Sequence, residues 1–173
     1  VGIDTSALYM DQEVNTTLAF VHTFPDGDRE FSFYRNPGAD MMLRKEEVGE
    51  ALLKETKLFH FGSLSMTSSE AEEATKYAIW TAKQNGAIIS FDPNLRPALW
   101  NSVDHMIDVI NKLSVSADVV LPGIGECEIL LGTRNKEQIA AFYHSHGVKI
   151  VVIKDGKNGA FVSGKIGEST TQI

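Results

Sequence analysis

The sequence has one cysteine, Cys127, so no internal disulfide can form and a reducing, cytoplasmic setting fits. That lone thiol reads as a small buried side chain rather than a catalytic one. Long apolar runs are missing as well, none approaching the ~18 residues of a membrane span. Positive charge is the minority, 16 Lys and Arg against 23 Asp and Glu, for a net charge of −7. This balance argues against nucleic acid or an anionic membrane as the main partner, while leaving room for a locally basic site. There is no Walker-type phosphate loop, nucleophile elbow or paired-cysteine metal motif. Internal repeats and low-complexity linkers are lacking too. What remains is an ordinary globular composition, 43% hydrophobic and 23% charged over 173 residues, enough for one domain with a sizeable core.

The most concentrated polar chemistry lies in Ser90-Phe91-Asp92-Pro93-Asn94-Leu95-Arg96-Pro97. The preceding run, Ala87-Ile88-Ile89-Ser90-Phe91, is short, apolar and bounded by Asn85-Gly86, which predicts a buried strand. Asp92, Asn94 and Arg96 therefore arrive at its C-terminal end, the edge at which open α/β sheets bind ligands. Pro93 and Pro97 stiffen the turn. A carboxylate, an amide and a guanidinium there suit a polyol or phosphate ligand, since arginine offers a planar fork of donors. On spacing alone, a capped loop in which Arg96 pairs with Asp92 weighs as much.

Elsewhere, residues 16–24 and 29–34 flank Pro25-Asp26-Gly27-Asp28, predicting a β-hairpin with Gly27 at positive φ. Residues 46–54 predict a short helix with Val48, Ala51 and Leu52 on one face. Residues 58–62 predict a buried strand that holds a satisfied core histidine, His60. Ser69-x-x-Glu72 predicts a capping box, opening a helix whose Ala71, Ala74, Ala78 and Ala82 share a face. Asn85-Gly86 ends it. Asn101 or Ser102 caps a further helix striped with Val103, Met106, Ile107, Ile110 and Leu113. A short strand over 118–121, a helix over 126–131 stopped by Gly132 and a helix capped by Asn135-x-x-Gln138 follow. A β-branched strand covers 149–153, with 160–163 as an antiparallel partner and a weakly patterned tail from Gly164. This alternation predicts an α/β fold, a parallel sheet covered by helices on both faces, with the hairpin standing off it as a small lid. Four polar clusters follow predicted strands: Arg35-Asn36, 92–96, 123–126 and 154–159. Strand ends that converge make one site. Gly156 and Gly159 would let backbone approach a ligand and expose amides to phosphate, although a plain hairpin turn explains them equally.

The motifs Gly2-x-Asp4-Thr5, Thr16-Thr17-Leu18-Ala19-Phe20-Val21, Phe33-Tyr34-Arg35-Asn36-Pro37-Gly38-Ala39-Asp40 and Phe91-Asp92-Pro93-Asn94-Leu95-Arg96-Pro97 occur in collinear order. With them the sequence resembles the ribokinase-like carbohydrate kinases, and most of all the fructokinases, over residues 1–162. The resemblance implies a ribokinase-like three-layer α/β sandwich with a mostly parallel sheet and a β-lid over 16–34. It implies ATP-dependent phosphorylation of a sugar hydroxyl, with Mg2+. By the same resemblance Phe33 and Arg35 contact the sugar, and Asp92, Asn94 and Arg96 shape the substrate and phosphoryl-transfer site. Arg96 would steady charge on the transferred group. Asn94, Lys154, Gly156 and Gly159 would meet the nucleotide, and Glu126 would act indirectly on Mg2+. A homodimer through the lid is implied, with no nucleic-acid or membrane partner.

Two positions depart from the resembling motifs. Gly123 stands where Asn-x-x-Glu has Asn, and Lys154 where Thr-x-Gly-x-x-Gly has Thr. Both variants look like those of 2-keto-3-deoxygluconate kinases, which supplies a second substrate expectation. A non-catalytic α/β ligand-binding module is the alternative from another class. The resemblance places a Gly-Gly sugar-binding segment before Val1 and a Gly-Ala-Gly-Asp motif with the aspartate base after Ile173. Residues 1–173 are thus expected to be the central part of one sugar kinase domain, inactive by themselves.

Overall fold

The computed structural model describes residues 2–25, 29–166 and 169–172. Its strands fall into two sheets. The smaller is a hairpin of β1 (Leu18–Thr23) and β2 (Arg29–Tyr34), antiparallel, with Leu18 opposite Tyr34 and Thr23 opposite Arg29. The turn expected around Gly27 lies outside the described residues. Alternation shows on β2, where Phe31 and Phe33 are half-buried between exposed neighbours, whereas every residue of β1 is exposed, Leu18, Phe20 and Val21 included.

The larger sheet has the order β3-β4-β5-β6-β7-β8. Its strands are β3 (Leu58–Gly62), β4 (Ile88–Asp92), β5 (Val119–Val120), β6 (Ile150–Lys154), β7 (Ala160–Ile166) and β8 (Ser169–Gln172). The first four run parallel and the last two join antiparallel. Parallel neighbours need crossover connections, which the helices supply. A short α1 (Glu50–Glu55) precedes β3. Between β3 and β4 comes α2 (Ser69–Gln84), between β4 and β5 α3 (Val103–Ser116), and before β6 α4 (Ile124–Leu131) and α5 (Lys136–Ser145). Ile89, Ser90 and Phe91 are all buried, so both faces of β4 are covered, as the alternation predicts. The alanine face of α2 is buried as expected, and Met106, Ile110, Ile139 and Tyr143 close the core around Phe91, Val120, Val151 and Ile153. Cys127 is buried in that core, and burial, aided by the neighbouring Glu126 charge, pushes its thiol pKa up to about 12.

Several local expectations are corrected. Residues 46–54 do not form one helix: a 3-10 turn, Lys45–Glu47, precedes α1, and Leu53 is the buried residue while Ala51 and Leu52 are exposed. As the sheet edge among the described residues, β3 leaves Leu58 and His60 exposed and buries only Phe61. His60 is satisfied by Ser90 Oγ at 3.0 Å, but it is not a core residue. The capping box at Ser69 does not form, because Ser69 Oγ turns to Glu70 and Ser68 is the N-cap residue. Ser68 Oγ instead donates to the Met41 carbonyl at 2.9 Å. Val103 lies on the exposed side of α3. Of the tail from Gly164, residues 164–166 end β7 and Ser169–Gln172 form β8, a pairing that the polar sequence does not advertise.

Parallel direction places the ends of β3, β4, β5 and β6 at one edge. There Gly62 pairs with Asp92, Phe91 with Val120, and Val120 with Val151. That edge carries the polar clusters.

Candidate active site

At the end of β4 the chain turns through Pro93, and Asn94 adopts φ 45°. This is a left-handed conformation that asparagine tolerates better than most residues. The turn buries Leu95 and leaves Arg96 half-buried. The Leu95 amide donates to Glu126 Oε1 at 2.7 Å, and the Gly123 amide donates to Glu126 Oε2 at 2.6 Å. Glu126 lies in the first turn of α4, where a carboxylate also complements the helix dipole. A Cβ on residue 123 would sit 3.3 Å from Glu126 Oε2, so a larger residue there would make the carboxylate shift by a few tenths of an ångström. Lys154, at the end of β6, forms a bridge beside Gly123, and its amide donates to the Pro122 carbonyl at 2.8 Å. Its Nζ returns to Asp92 Oδ2 at 2.5 Å.

These bonds close a circuit: Asp92, Leu95, Glu126, Gly123, Lys154 and back to Asp92. Three strand ends are tied together by it. The Lys154 side chain is 44% exposed, so the ion pair adds little stability; what it supplies is fixed geometry. The expected alternative in which Arg96 pairs with Asp92 is corrected here, because Lys154 holds that carboxylate. Asp92 Oδ1 is buried with no hydrogen-bond partner.

Arg96 takes a different position. Its Nη1 donates to the Leu95 carbonyl at 2.7 Å, and its guanidinium lies over the Phe31 ring, 4.5 Å from the centroid. Phe33 stacks behind Phe31 at 6.2 Å. The hairpin thus reaches the β4 turn through aromatic faces. Arg35, by contrast, is spent on protein groups and its side chain is only 3% exposed. Its Nε donates to Asp40 at 2.8 Å, Nη1 to Thr67 Oγ1 at 2.7 Å and Nη2 to the Leu64 carbonyl at 3.2 Å. Thr17 Oγ1 also donates to Asp40. Gly38 packs so closely against Thr17 and Asp40 that no Cβ fits. Burial pushes the Asp40 carboxyl up, but the bonds from Arg35 and Thr17 outweigh it and hold the group below its ordinary range.

The turn between β6 and β7 contains Gly156 at φ 52° and Gly159 at φ 82°. A Cβ at either would meet nothing within 4 Å, so backbone conformation and open access, rather than crowding, select glycine. Asp155, Asn158 and Gly159 spend their amides inside the turn. Lys136 braces it from α5 through Asp155 at 2.7 Å. Of the four clusters expected to converge, the structure joins 92–96, 123–126 and 154–159. Arg35, at the base of the hairpin, reaches the same edge from another side, bonded to Leu64 and Thr67 in the segment that follows the end of β3. Sequence reasoning passed over Phe31, although its two-residue spacing from Phe33 marks the same strand face.

A family model described as pfkB family carbohydrate kinase matches residues 1–173. The chain belongs to that family. Among curated pfkB-like relatives, it is 36% identical over 160 residues to fructokinase-2 of Solanum lycopersicum, covering 91% of this chain and 48% of that protein. It is 40% identical over 136 residues to fructokinase-1 of Zea mays, covering 79% and 42%. The PfkB protein of Polaromonas sp. JS666 superposes with a TM-score of 0.81 at 31% identity, over 94% of this chain and 55% of that one. Fructokinase from Xylella fastidiosa with bound ATP gives 0.77 at 28%, over 94% and 51%. A ribokinase II from E. coli in complex with ATP and Mg+2 gives 0.76 at 30%, over 93% and 50%. The mostly parallel sheet with its helices is therefore the ribokinase-like fold. The chain spans about half the length of the curated relatives it matches.

The donors present fit both groups that the pfkB family implies. A Cβ at Gly156 or Gly159 would meet no neighbour within 4 Å, and Lys154 lies at the base of the β6–β7 turn, which suits the approach of a nucleotide to its backbone. Each Glu126 oxygen has accepted one amide and retains a second lone pair, which suits outer-sphere contact with a hydrated ion. Mg2+ keeps several of its waters, so this does not require a cluster of direct ligands. Among the described residues no group of three or more His, Cys, Asp or Glu forms such a cluster.

Proposed function

We propose that the protein carrying this chain is an ATP-dependent sugar kinase acting on fructose. The closed circuit at one sheet edge carries the reading: it ties the turn that bears Asp92, Asn94 and Arg96 to Lys154, the residue that leads into the Gly156–Gly159 turn. In this reading, ATP bound at that turn supplies the phosphoryl group, and Mg2+ offsets its charge. Lys154, Gly156 and Gly159 hold the nucleotide side, with Asn94 on the rim between nucleotide and sugar. Glu126 orders the waters of Mg2+ while keeping the Leu95 and Gly123 amides in place. Arg96 presents a fixed cation to charge that builds on the transferred group. The hairpin covers the sugar, with Phe33 on its inner face and Arg35 fixing its base. No base for the acceptor hydroxyl is assigned within 1–173, so turnover is proposed for the full-length protein and not for these residues alone. The name carried by relatives at 36–40% identity supports fructose.

A second substrate, 2-keto-3-deoxygluconate, is favoured by one observation, the Gly123 and Lys154 pair built into the circuit. A coupled assay of ADP release by the full-length protein compares the two. Fructose turnover well above 2-keto-3-deoxygluconate turnover supports the first reading, and the reverse order the second. Turnover of neither returns the chain to a non-catalytic ligand-binding role.

A further inference from the structure

Phe31 is assigned no role by motif, yet its ring meets Arg96 on the β4 turn. We propose that Phe31 is a positioning residue for Arg96, so that seating of the hairpin sets where this guanidinium points. The proposal rests on the kinase reading above.

The geometry makes the case. A guanidinium stacks through its face and hydrogen-bonds through its edge. Phe31 occupies the face of Arg96 at 4.5 Å, while Nη1 alone is spent on the Leu95 carbonyl. Among the described residues the rest of the fork has no protein partner. The arginine is therefore held in orientation without using the donors that an anion needs. Leu95 is itself fixed from its other side, its amide bound by Glu126. One wall of the arginine's seat thus belongs to the sheet and the other to the hairpin. Phe33, parallel to Phe31 within 12° and 6.2 Å away, backs the ring from inside the hairpin. Arg35, bonded to Asp40, Thr67 and Leu64, fixes the strand's exit. A hairpin displaced from this position would leave Arg96 tethered by one hydrogen bond to its own neighbour.

The test uses Phe31→Leu, Phe31→Tyr and Arg96→Ala, with the Phe31→Leu/Arg96→Ala double variant, in the full-length protein. Leucine keeps apolar burial and removes the π face, whereas tyrosine keeps both. We expect Phe31→Leu to lower kcat about tenfold with little change in sugar KM, and Phe31→Tyr to stay within about twofold of the parent. The double variant should be no slower than Arg96→Ala, because Phe31 acts through Arg96. An NMR readout needs no turnover: ring current should shift the Arg96 Nε–H signal in the parent and in Phe31→Tyr, and not in Phe31→Leu. Phe31→Leu with parental kcat, equal behaviour of leucine and tyrosine, additive losses in the double variant, or an unshifted parental signal would each overturn the proposal. A parent protein that phosphorylates no sugar would overturn the kinase reading itself, an outcome distinct from an active parent indifferent to Phe31.

Discussion

At the residue scale the proposed chemistry turns on Arg96. If it meets charge that grows in the transition state, Arg96→Ala should lower kcat by about 10²-fold or more with sugar KM little changed. A raised KM at constant kcat would place it on the sugar instead. Arg96→Lys should recover only part of the loss, because a point charge copies neither the planar fork nor the stack on Phe31. Steady-state kinetics on folded variants separates these outcomes. Glu126 is the structural counterpart: Glu126→Ala would strip the partner from two part-buried amides, and should cost about 2 kcal/mol or more in denaturant melts. A loss below about 0.5 kcal/mol would show that the circuit does not hold the turn. Asp92, Asn94 and Arg96 were legible in the sequence because short-range signals, a strand followed by two prolines, placed them. The Lys154–Asp92 bond was not, because it joins residues 62 apart and nothing local in either segment names the other.

Elements show the same division between local and long-range signals. Helices with a strong apolar period and a side-chain cap read correctly, as in α3 with Ser102 on the His105 amide and α5 with Asn135 on the Gln138 amide. The misreadings fall where tertiary contacts decide: the edge position of β3, the cap of α2 drawn away to Met41, and β8, which pairs only because β7 offers an edge. Asp118 offers a test at this scale. Its Oδ2 accepts the Ile89 amide at 2.9 Å and its Oδ1 pairs with Lys149 at 2.8 Å, joining the starts of β4, β5 and β6. Burial raises its pKa, but the Ile89 amide and Lys149 outweigh this and hold it below the ordinary 3.8. A depressed carboxylate stabilises fully above its unfolded value and loses that contribution as pH falls through the folded one. Asp118→Ala should therefore cost about 1–3 kcal/mol at neutral pH, with the gap to the parent narrowing below about pH 4. Denaturant melts at pH 7 and pH 3 check this, and a constant gap would contradict it. Cys127, with its pKa pushed to about 12, should resist a thiol reagent at pH 8 until the protein unfolds.

For the whole molecule, the hairpin and the sheet edge are the two surfaces that matter. The hairpin exposes Leu18, Phe20, Val21 and Tyr34 beside strand edges with unpaired backbone groups, which supports the proposal of a homodimer through the lid. Sedimentation of the full-length protein should then show a dimer, and Phe20→Glu should shift it toward monomer; a parent that sediments as a monomer would remove this proposal. The architecture itself was readable from the alternation of strands and helices, whereas what the edge does depends on how three strand ends are tied. The function proposed for this edge is transfer of a phosphoryl group to a sugar. The most direct measurement is to supply γ-labelled ATP, Mg2+ and fructose to the full-length protein and follow the label. Label appearing in fructose phosphate in step with ADP, and lost on Arg96→Ala, is the predicted result. ADP formed with label only in inorganic phosphate, or no ADP with any sugar offered, would contradict it.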